Sequence, residues 1–328
     1  MSGPRPFVSI CVPAFNAERW LADALDSALQ QTYSEFELVV VDNGSTDATA
    51  EIARGFDDDR IRIESSTQTI GAVANHNRAI RLSKGEFVKF LHADDLLEPQ
   101  CVEKMVALAL EDPRIGLVFA PRKVLLEPGS DPEWAERFAR PHEQLGPLER
   151  INDGRDLFRR QLAARFEENW IGEPSAVLLR RAALEGVGLL NERLFQIADV
   201  ELWARIAYDH RVGFVDRVLS VYRHHEQSGT AQNARARRDW FDQLWLLEGL
   251  LEIPNLDPED RRGLQRLRQA AARRVLRAQA GRIVQRRWTP ELLEYLAYRV
   301  RSVGGDRPRL HAVLAEQDSA GAQRLPAG

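Results

Sequence analysis

An uninterrupted apolar run, FELVVV at residues 36–41, constrains the fold of this chain more than any other feature. A strand that lacks polar alternation is typical of a parallel sheet covered by helices on both faces. A shorter β-rich segment, FVSICV at residues 7–12, and a stretch with apolar residues at helical spacing, residues 18–30, precede it. The three segments predict a strand–helix–strand unit with a right-handed connection. We expect its first strand to end before Pro13, because proline cannot donate a hydrogen bond to a strand ladder.

The alternation of strands and helices continues to about residue 120 and predicts an α/β fold with a mainly parallel central sheet flanked by helices. The next segment, residues 121–150, is rich in Pro, Glu and Arg and predicts a long loop. Mixed strand and helix patterns follow to about residue 225. From about residue 233 to residue 302 the pattern is helical, which predicts a C-terminal helical extension.

Polar clusters follow three of the predicted strands, at Pro13–Asn16, Asp42–Asp47 and His92–Asp95. Ligands of open α/β sheets bind in the crevice beyond the carboxyl ends of the strands. The sequence therefore predicts that these three clusters line one binding crevice.

Composition and charge exclude several classes of protein. A formal net charge of −4 over 328 residues argues against a nucleic-acid binder. The two cysteines, Cys11 and Cys101, provide neither a disulfide framework nor a metal cluster, as is usual for a cytoplasmic protein. No stretch approaches the roughly 18 uncharged apolar residues of a membrane span, and residues 1–6 lack a signal-peptide core. We expect a cytoplasmic protein and leave open a peripheral contact with the inner face of a membrane.

Four sequence blocks, in matching order and spacing, resemble glycosyltransferase family 2, whose members have the GT-A fold. They begin with VSICVPAFN at residue 8, IGAVANHNRA at residue 70, GEPSAVLLRR at residue 172 and VYRHHEQS at residue 221. The resemblance implies an inverting transfer of a sugar from a UDP- or dTDP-sugar to an acceptor hydroxyl. The acceptor would be a carbohydrate or a lipid-linked molecule, in the synthesis of polysaccharide, O-antigen or another glycoconjugate.

The resemblance also implies which residues contact the nucleotide. These are Pro13, Ala14, Phe15, Asn16, Asp42, Asn77 and Ala93. Asp42 would accept a hydrogen bond from the N3–H of uracil or thymine; its alternative role is to form the turn before Asn43-Gly44. Asn16 has an alternative role as the N-cap of the following helix. His76 replaces an arginine that is common in the family beside Asn77.

The segment His92–Asp95 matches the metal motif of the family, with His92 in place of the commoner Asp. The resemblance implies Mn²⁺ or Mg²⁺ held by Asp94 and Asp95, with His92 and His225 as further ligands. Imidazole is a softer ligand than carboxylate, which would favour Mn²⁺ over Mg²⁺. Two alternatives remain: His92 contacts the donor ribose or sugar, or the two aspartates cap a helix.

Asp199 lies where the family places the catalytic base that takes the proton of the acceptor hydroxyl. Its alternative role is to begin a helix. The resemblance places Arg223 near the diphosphate and Glu173 on the acceptor side. Trp170 would stack on a sugar face or, alternatively, belong to the core.

We predict a GT-A domain at residues 1–230, with a nucleotide-binding half (about residues 1–120) and an acceptor half (residues 121–230). A helical extension at residues 231–303 and a polar tail at residues 304–328 would follow. The extension is rich in arginine, which predicts either a basic face for anionic lipid or an ordinary solvated helix surface. Its apolar residues keep helical spacing and predict packing on the GT-A domain or on a second copy in a homo-oligomer.

Two rival interpretations of the sequence differ from a glycosyltransferase. The first is a catalytically inactive GT-A scaffold that binds sugar or nucleotide. His76, His92 and Ala198 depart from the family pattern and favour it, whereas the retained aspartates argue against it. The second is a dinucleotide-dependent oxidoreductase, which would need a glycine-rich turn after the first strand. Pro13–Asn16 contains no glycine.

Overall fold

The computed structural model of the protein describes residues 5–126, 132–167, 169–225, 239–284, 290–303 and 310–311. Within them lie two sheets. The larger has eight strands and the smaller has three. The strands are β1 (Val8–Ala14), β2 (Phe36–Asp42), β3 (Ile61–Ser65), β4 (Phe87–Phe90), β5 (Leu96–Leu97), β6 (Ile115–Phe119), β7 (Arg122–Leu126), β8 (Ile151–Asn152), β9 (Val177–Arg180), β10 (Arg211–Phe214) and β11 (Ser220–His224).

Helices alternate with the strands along the described chain, and three more helices come after its last strand. The helices are α1 (Leu21–Leu29), α2 (Thr49–Arg54), α3 (Ala72–Leu82), α4 (Cys101–Ala109), α5 (Pro132–Ala139), α6 (Gly154–Ala163), α7 (Arg181–Val187), α8 (Ala198–Asp209), α9 (Asp239–Leu250), α10 (Pro258–Val284) and α11 (Pro290–Val303). None of the described helices combines the length and the apolar character that crossing a membrane requires.

The large sheet has the order β3-β2-β1-β4-β9-β6-β10-β8 and is mainly parallel, as predicted. Strand β2 is buried along its whole length, in agreement with its uninterrupted apolar sequence. Two strands run against the others: β8 pairs antiparallel to β10 at the edge, and β9 pairs antiparallel to both β4 and β6. The residues that precede β9 therefore lie at the same edge as the residues that follow β1, β2 and β4.

Strand β1 does not end before Pro13, contrary to the sequence-based expectation, but continues to Ala14. Pro13 pairs with Val41 of β2, whereas the pairing of β1 with β4 ends at Cys11 and Phe90. The carbonyl of Cys11 accepts a bond from Leu91 on the β4 side. Because strand residues alternate sides, the nitrogen of Pro13 faces that same side, where no partner strand remains. The ladder therefore loses no bond at Pro13.

The long loop expected at residues 121–150 is also wrong, because its described part contains β7, α5 and a 3-10 helix at Pro141–Leu145. Strand β7 pairs in parallel with β11, which lies almost a hundred residues later in the chain. Together with β5, these strands form the small sheet. A pairing between such distant segments leaves no local periodicity that sequence analysis could detect.

The C-terminal helices pack on the α/β unit. Leu246 of α9, Leu264 of α10 and Tyr295 of α11 belong to the same buried cluster as Trp203 of α8. This continuous core confirms the predicted helical extension and its packing on the rest of the chain. The arginines that give α10 its basic face include the exposed Arg262, whereas Arg286 and Arg287 lie outside the described residues.

Candidate active site

The first two polar clusters are joined by Asn16. Its Oδ1 atom accepts a hydrogen bond of 2.9 Å from the backbone N–H of Thr46, and its own N–H donates to Ser45 Oγ at 2.9 Å. Asn16 has a φ of 48°, a left-handed conformation that asparagine tolerates better than most residues. It does not cap α1, whose N-cap is Trp20. Asn16 therefore holds the loop after β1 against the loop after β2.

The exposure of the predicted nucleotide contacts differs widely. Phe15 is 51% exposed, which leaves its ring free for a base or ribose, whereas Ala14 is buried and Pro13 is partly buried. Ala93 is also buried. The flat face of an aromatic ring suits stacking on a nucleotide, so Phe15 is the member of this loop best placed for contact.

Asp42 is only 3% exposed, and its Oδ1 atom accepts a hydrogen bond of 3.1 Å from the N–H of Ser45. This bond forms the turn that sequence analysis gave as the alternative role of Asp42. Asp42 ends β2 beside Ala14, the last residue of β1. The residue thus lies at the crevice edge in a turn-forming role, and its contact with a base stays a prediction.

Asn77 does not face the crevice, which corrects its assignment as a nucleotide contact. Its Nδ2 atom donates to Leu190 O and to Glu192 Oε1, each at 2.9 Å, and its Oδ1 atom accepts from the N–H of Leu190. The side chain is fully buried. Asn77 therefore ties α3 to the segment after α7: both N–H groups of its amide are bonded, and its Oδ1 atom already accepts a bond within this buried contact.

The segment His92–Asp95 follows β4 and lies against the small sheet. Asp95 is fully buried, and its Oδ1 atom accepts a hydrogen bond of 3.0 Å from the N–H of Arg223 on β11. Asp94 Oδ2 lies 3.0 Å from His225 Nε2, and Arg223 Nε donates to Asp94 O at 2.9 Å. Leu96–Leu97 forms a strand rather than a helix, so the aspartates do not cap a helix there.

The pKa values of the two aspartates in this cluster shift in opposite directions. Burial, together with the negative charges of Asp94 and Glu173, raises the pKa of Asp95 well above its usual range. Burial also acts to raise the pKa of Asp94, but the hydrogen bond from His225 and the proximity of His92 outweigh it and lower that pKa. A cation would relieve the repulsion between these carboxylates.

Ligand atoms of His92, Asp94 and Asp95 lie within 4.8 Å of one another. Among the described residues, no hydrogen-bond donor is bonded to Asp95 Oδ2, although the atom is buried. The closeness of one imidazole to two carboxylates fits a divalent metal ion. His225 stacks on Trp20 at a ring-centroid distance of 3.9 Å, which fixes its imidazole beside Asp94.

His76 lies on the other side of His92. The Nε2 atoms of the two imidazoles are 3.0 Å apart, and His76 Nδ1 lies 2.8 Å from Ala72 O. Burial lowers the pKa of His76 to about 3 and also lowers the pKa of His92. Both rings are therefore neutral at pH 7.

Two buried cations that sequence analysis did not single out lie beneath the site. Lys89, on β4, donates from Nζ to Phe90 O at 2.7 Å and to Ser175 O at 2.5 Å, and burial lowers its pKa. Arg122 is buried and pairs with Glu173, with 2.9 Å between Nε and Oε2. A lysine in an otherwise apolar strand next to the acidic motif was the signal that could have drawn attention to Lys89. This ion pair with Arg122 holds the carboxylate of Glu173 in place at the crevice.

Asp199 lies in the first turn of α8 and lines a cavity of about 150 Å³ together with His92, His76, Glu173 and Gln196. Burial raises the pKa of Asp199 to about 7. Asn169 Nδ2 donates to Asp199 Oδ2 at 2.8 Å, and Asn169 Oδ1 in turn accepts from the N–H of Gly172. Asn169 was not predicted as a site residue, because nothing in its local sequence indicates that it contacts α8.

Trp170 is 3% exposed, and its ring packs edge-on against Phe119 at a centroid distance of 5.5 Å. This burial corrects its assignment to the acceptor side. Of the two roles given for it, the structure supports the core tryptophan. No face of the ring is left for a sugar.

Comparison with known proteins identifies the family. A family model described as glycosyl transferase family 2 matches residues 9–188, which is more than half of the chain. The chain belongs to glycosyl transferase family 2. The part of this chain that matches the family model contains nearly all of β1, all of β2, the His92–Asp95 segment and Glu173. It ends before Asp199.

Individual proteins are similar to this chain in sequence or in structure. An uncharacterised protein of Mycobacterium tuberculosis is 33% identical over 250 residues, which cover 76% of this chain and 77% of that protein. The crystal structure of S. aureus TarS 1-349 in complex with UDP-GlcNAc has a TM-score of 0.61 at 17% identity, over 90% of this chain and 81% of that chain. A mannosyltransferase from Pyrobaculum calidifontis in complex with GDP-Man and Mn²⁺ has a TM-score of 0.55 at 20% identity, over 92% and 81%. These structural likenesses confirm the predicted GT-A fold of this family 2 chain.

Proposed function

We propose that this chain is an inverting glycosyltransferase that moves a sugar from a UDP- or dTDP-sugar to an acceptor hydroxyl. One observation carries the proposal: Asp199 and His92 line the same cavity. A carboxylate and a residue of the family's metal motif thus line one cavity. The UDP-GlcNAc bound by the TarS chain supports a uridine donor. Relatives named for teichuronic acid synthesis and for transfer to a diphosphoundecaprenol-linked sugar support a role in glycoconjugate synthesis.

In the proposed reaction, Asp199 takes the proton of the acceptor hydroxyl while that oxygen attacks the anomeric carbon. The new glycosidic bond forms as the bond between that carbon and the diphosphate oxygen breaks, and the nucleoside diphosphate leaves with the electron pair. Attack from the face opposite the leaving group inverts the anomeric configuration. A pKa of about 7 suits Asp199 to this role, because a base works best when its pKa lies near the working pH.

Asp94, Asp95, His92 and His225 are the residues that would hold the divalent ion, Mn²⁺ or Mg²⁺. When bound, such an ion neutralises the charge that develops on the departing diphosphate. Arg223 donates from Nε to Asp94 O at 2.9 Å, and this proximity to the motif supports a contact of its guanidinium with the diphosphate. Glu173 is paired with Arg122 and lines the Asp199 cavity, in keeping with a role on the acceptor side.

Two further predictions about the whole chain stay open to test. The division of the chain into two halves of a GT-A domain, a helical extension and a polar tail, at residues 120, 230 and 303, is retained as a proposal. Most of the polar tail lies outside the described residues.

Exposed Arg273, Arg274 and Arg277 line a shallow recess on α10. That basic surface is retained as a proposed contact for anionic lipid or a lipid-linked acceptor, and a homo-oligomer through the extension is retained likewise.

Calorimetric titration with UDP, dTDP, GDP and NAD, each with Mn²⁺ and with EDTA, tests the proposal directly. We expect metal-dependent binding of UDP or dTDP. Binding of NAD alone would favour the oxidoreductase, and metal-independent nucleotide binding without turnover would favour the inactive scaffold.

The base assignment is tested by Asp199→Asn, with release of UDP from UDP-sugars in the presence of Mn²⁺ as the assay. We expect a loss of about 100-fold or more in rate, with UDP affinity within a few fold of wild type. Asp209→Asn is the matched control, because it changes an exposed aspartate at the far end of the same helix. Equal rates for wild type and Asp199→Asn would remove Asp199 from the base role.

A further inference from the structure

The hydrogen bonds of His76 determine which nitrogen of His92 carries a proton. His76 Nδ1 lies 2.8 Å from the carbonyl oxygen of Ala72, and a carbonyl can only accept. The Nδ1 atom of His76 therefore carries the hydrogen. A neutral imidazole has one N–H, so His76 Nε2 has a free lone pair and acts as an acceptor.

The partner of that acceptor is His92 Nε2, 3.0 Å away. Two ring nitrogens at this distance need one hydrogen between them, and His92 must supply it. His92 Nδ1 is consequently left with a free lone pair. That atom lies 3.7 Å from Asp95 Oδ2, on the side of the ring where Asp94 and Asp95 lie.

His76 is well placed to hold this arrangement. It lies on α3, its ring packs on Phe90 at a centroid distance of 5.2 Å, and it meets His92 nearly edge-on, at 87° between the ring planes. The main chain of His92 is held as well, because its N–H donates to Ser175 Oγ at 2.9 Å. Both the tautomer and the orientation of the His92 imidazole are thus determined by the protein.

We propose that His76 is a positioning residue that presents His92 Nδ1 as a metal ligand and so makes this site selective for Mn²⁺ over Mg²⁺. The proposal rests on the metal dependence within the proposed function. Its supports are the hydrogen-bond chain from Ala72 through His76 to His92 and the buried Asp95 Oδ2, which has no hydrogen-bond partner among the described residues. Imidazole binds Mn²⁺ more readily than Mg²⁺, and outer residues that orient a ligating histidine commonly control metal affinity.

The first test is Mn²⁺ binding to wild type, His76→Phe and His92→Asp, measured by calorimetry and by pulsed EPR, with and without UDP. Wild type should show ¹⁴N coupling from the directly bound imidazoles of His92 and His225. His76→Phe keeps a ring against Phe90 but removes the acceptor, and it should weaken Mn²⁺ binding about 10-fold or more. His92→Asp should remove the contribution of His92 to this coupling, leave that of His225, and raise the affinity for Mg²⁺ relative to Mn²⁺.

A second variant separates positioning from simple damage to the fold. Adding His76→Phe to His92→Asp should cost little further Mn²⁺ affinity, because no imidazole remains to be positioned. His142→Phe is the control for replacing a buried histidine elsewhere, and it should leave the affinity unchanged. Full additivity of the two substitutions would overturn the positioning role.

The outcomes for the inference and for the proposed function are separable. A wild-type complex without ¹⁴N coupling from His92 would overturn the inference, even where UDP release from a UDP-sugar still depends on Mn²⁺. A ¹⁴N coupling that loses one imidazole contribution in His92→Asp, in a protein that releases no UDP from any UDP-sugar, would uphold the inference and overturn the enzymatic function.

Discussion

Asp199 acquires its chemical character from neighbours that lie far from it in sequence. Burial raises its pKa to about 7, and a hydrogen bond from Asn169 acts in the opposite direction. The resemblance to family 2 was enough to select Asp199 and the His92–Asp95 segment as site residues. It was not enough to select Asn169, because a contact across 30 positions of sequence depends on how α8 packs.

The pH dependence of transfer should reveal the contact with Asn169. As a base, Asp199 must be deprotonated, so the rate of UDP release should rise with pH through about 7 and then level off. Asn169→Leu removes a donor to the carboxylate and should move this rise upward by about half a pH unit or more. The measurement is the rate against pH from 5.5 to 9 for both proteins. Coincident profiles would show that Asn169 does not tune the base.

At the scale of elements, the site depends on how closely α6 and α8 approach. Gly154 begins α6 after the N-cap Asp153, whose side chain accepts a hydrogen bond from the N–H of Asp156. A Cβ atom at Gly154 would lie 2.0 Å from both Ala207 O and His210 O at the end of α8. The helix that carries Asp199 is thus packed against backbone that leaves no room for a side chain. In the sequence, a glycine after a capping aspartate looks like an ordinary helix start. Only the packing of α6 on α8 shows that a side chain at Gly154 has no room.

Gly154→Ala should therefore destabilise the protein, by about 1–3 kcal/mol, because backbone must move to admit the methyl group. Gly186→Ala is the matched control, since Gly186 lies in α7 and a Cβ there would meet no atom within 4 Å. The control should be neutral or stabilising by up to about 1 kcal/mol, as alanine is favoured within helices. Urea unfolding measures both. Equal midpoints for the two variants would contradict the close packing.

At the scale of the whole molecule, a buried charge cluster ties the C-terminal region to α8. His311 lies 2.7 Å from Glu201 Oε1 through Nε2 and 3.4 Å from Glu252 Oε2 through Nδ1. Glu201 is also paired with Arg205, one turn further along α8. Residues from α8, from the segment after α9 and from the end of the described chain therefore meet in one network. The helical extension was predicted from periodicity, but this network was not.

The network should make stability depend on pH. Burial acts to lower the pKa of His311, but the charge of Glu201 and the hydrogen bonds outweigh it, so that the pKa is raised above 6.5. A raised histidine pKa contributes stability that is complete below the unfolded value of about 6.5 and is lost as the pH rises through the folded value. His311→Ala should therefore lower the melting temperature more at pH 6 than at pH 9. Thermal unfolding at both pH values measures this.

His142 is the internal control for that measurement, because burial lowers its pKa instead of raising it. His142→Phe should show no larger cost at pH 6 than at pH 9. The same pH dependence in both histidine variants would rule out the network as its source.

The sequence by itself determined the features that depend on neighbouring residues. The apolar run of β2, the helical spacing of α1 and the polar clusters after β1, β2 and β4 specify a parallel sheet with one ligand edge, because parallel strands end on the same side. Tertiary structure decided what depends on distant partners. The antiparallel insertion of β9 brings Glu173 to that edge, and the pairing of β5 with β11 brings Arg223 to Asp95. Side-chain burial likewise removed Asn77 and Trp170 from the site, since exposure is a property of the packed chain and leaves no local pattern in the sequence.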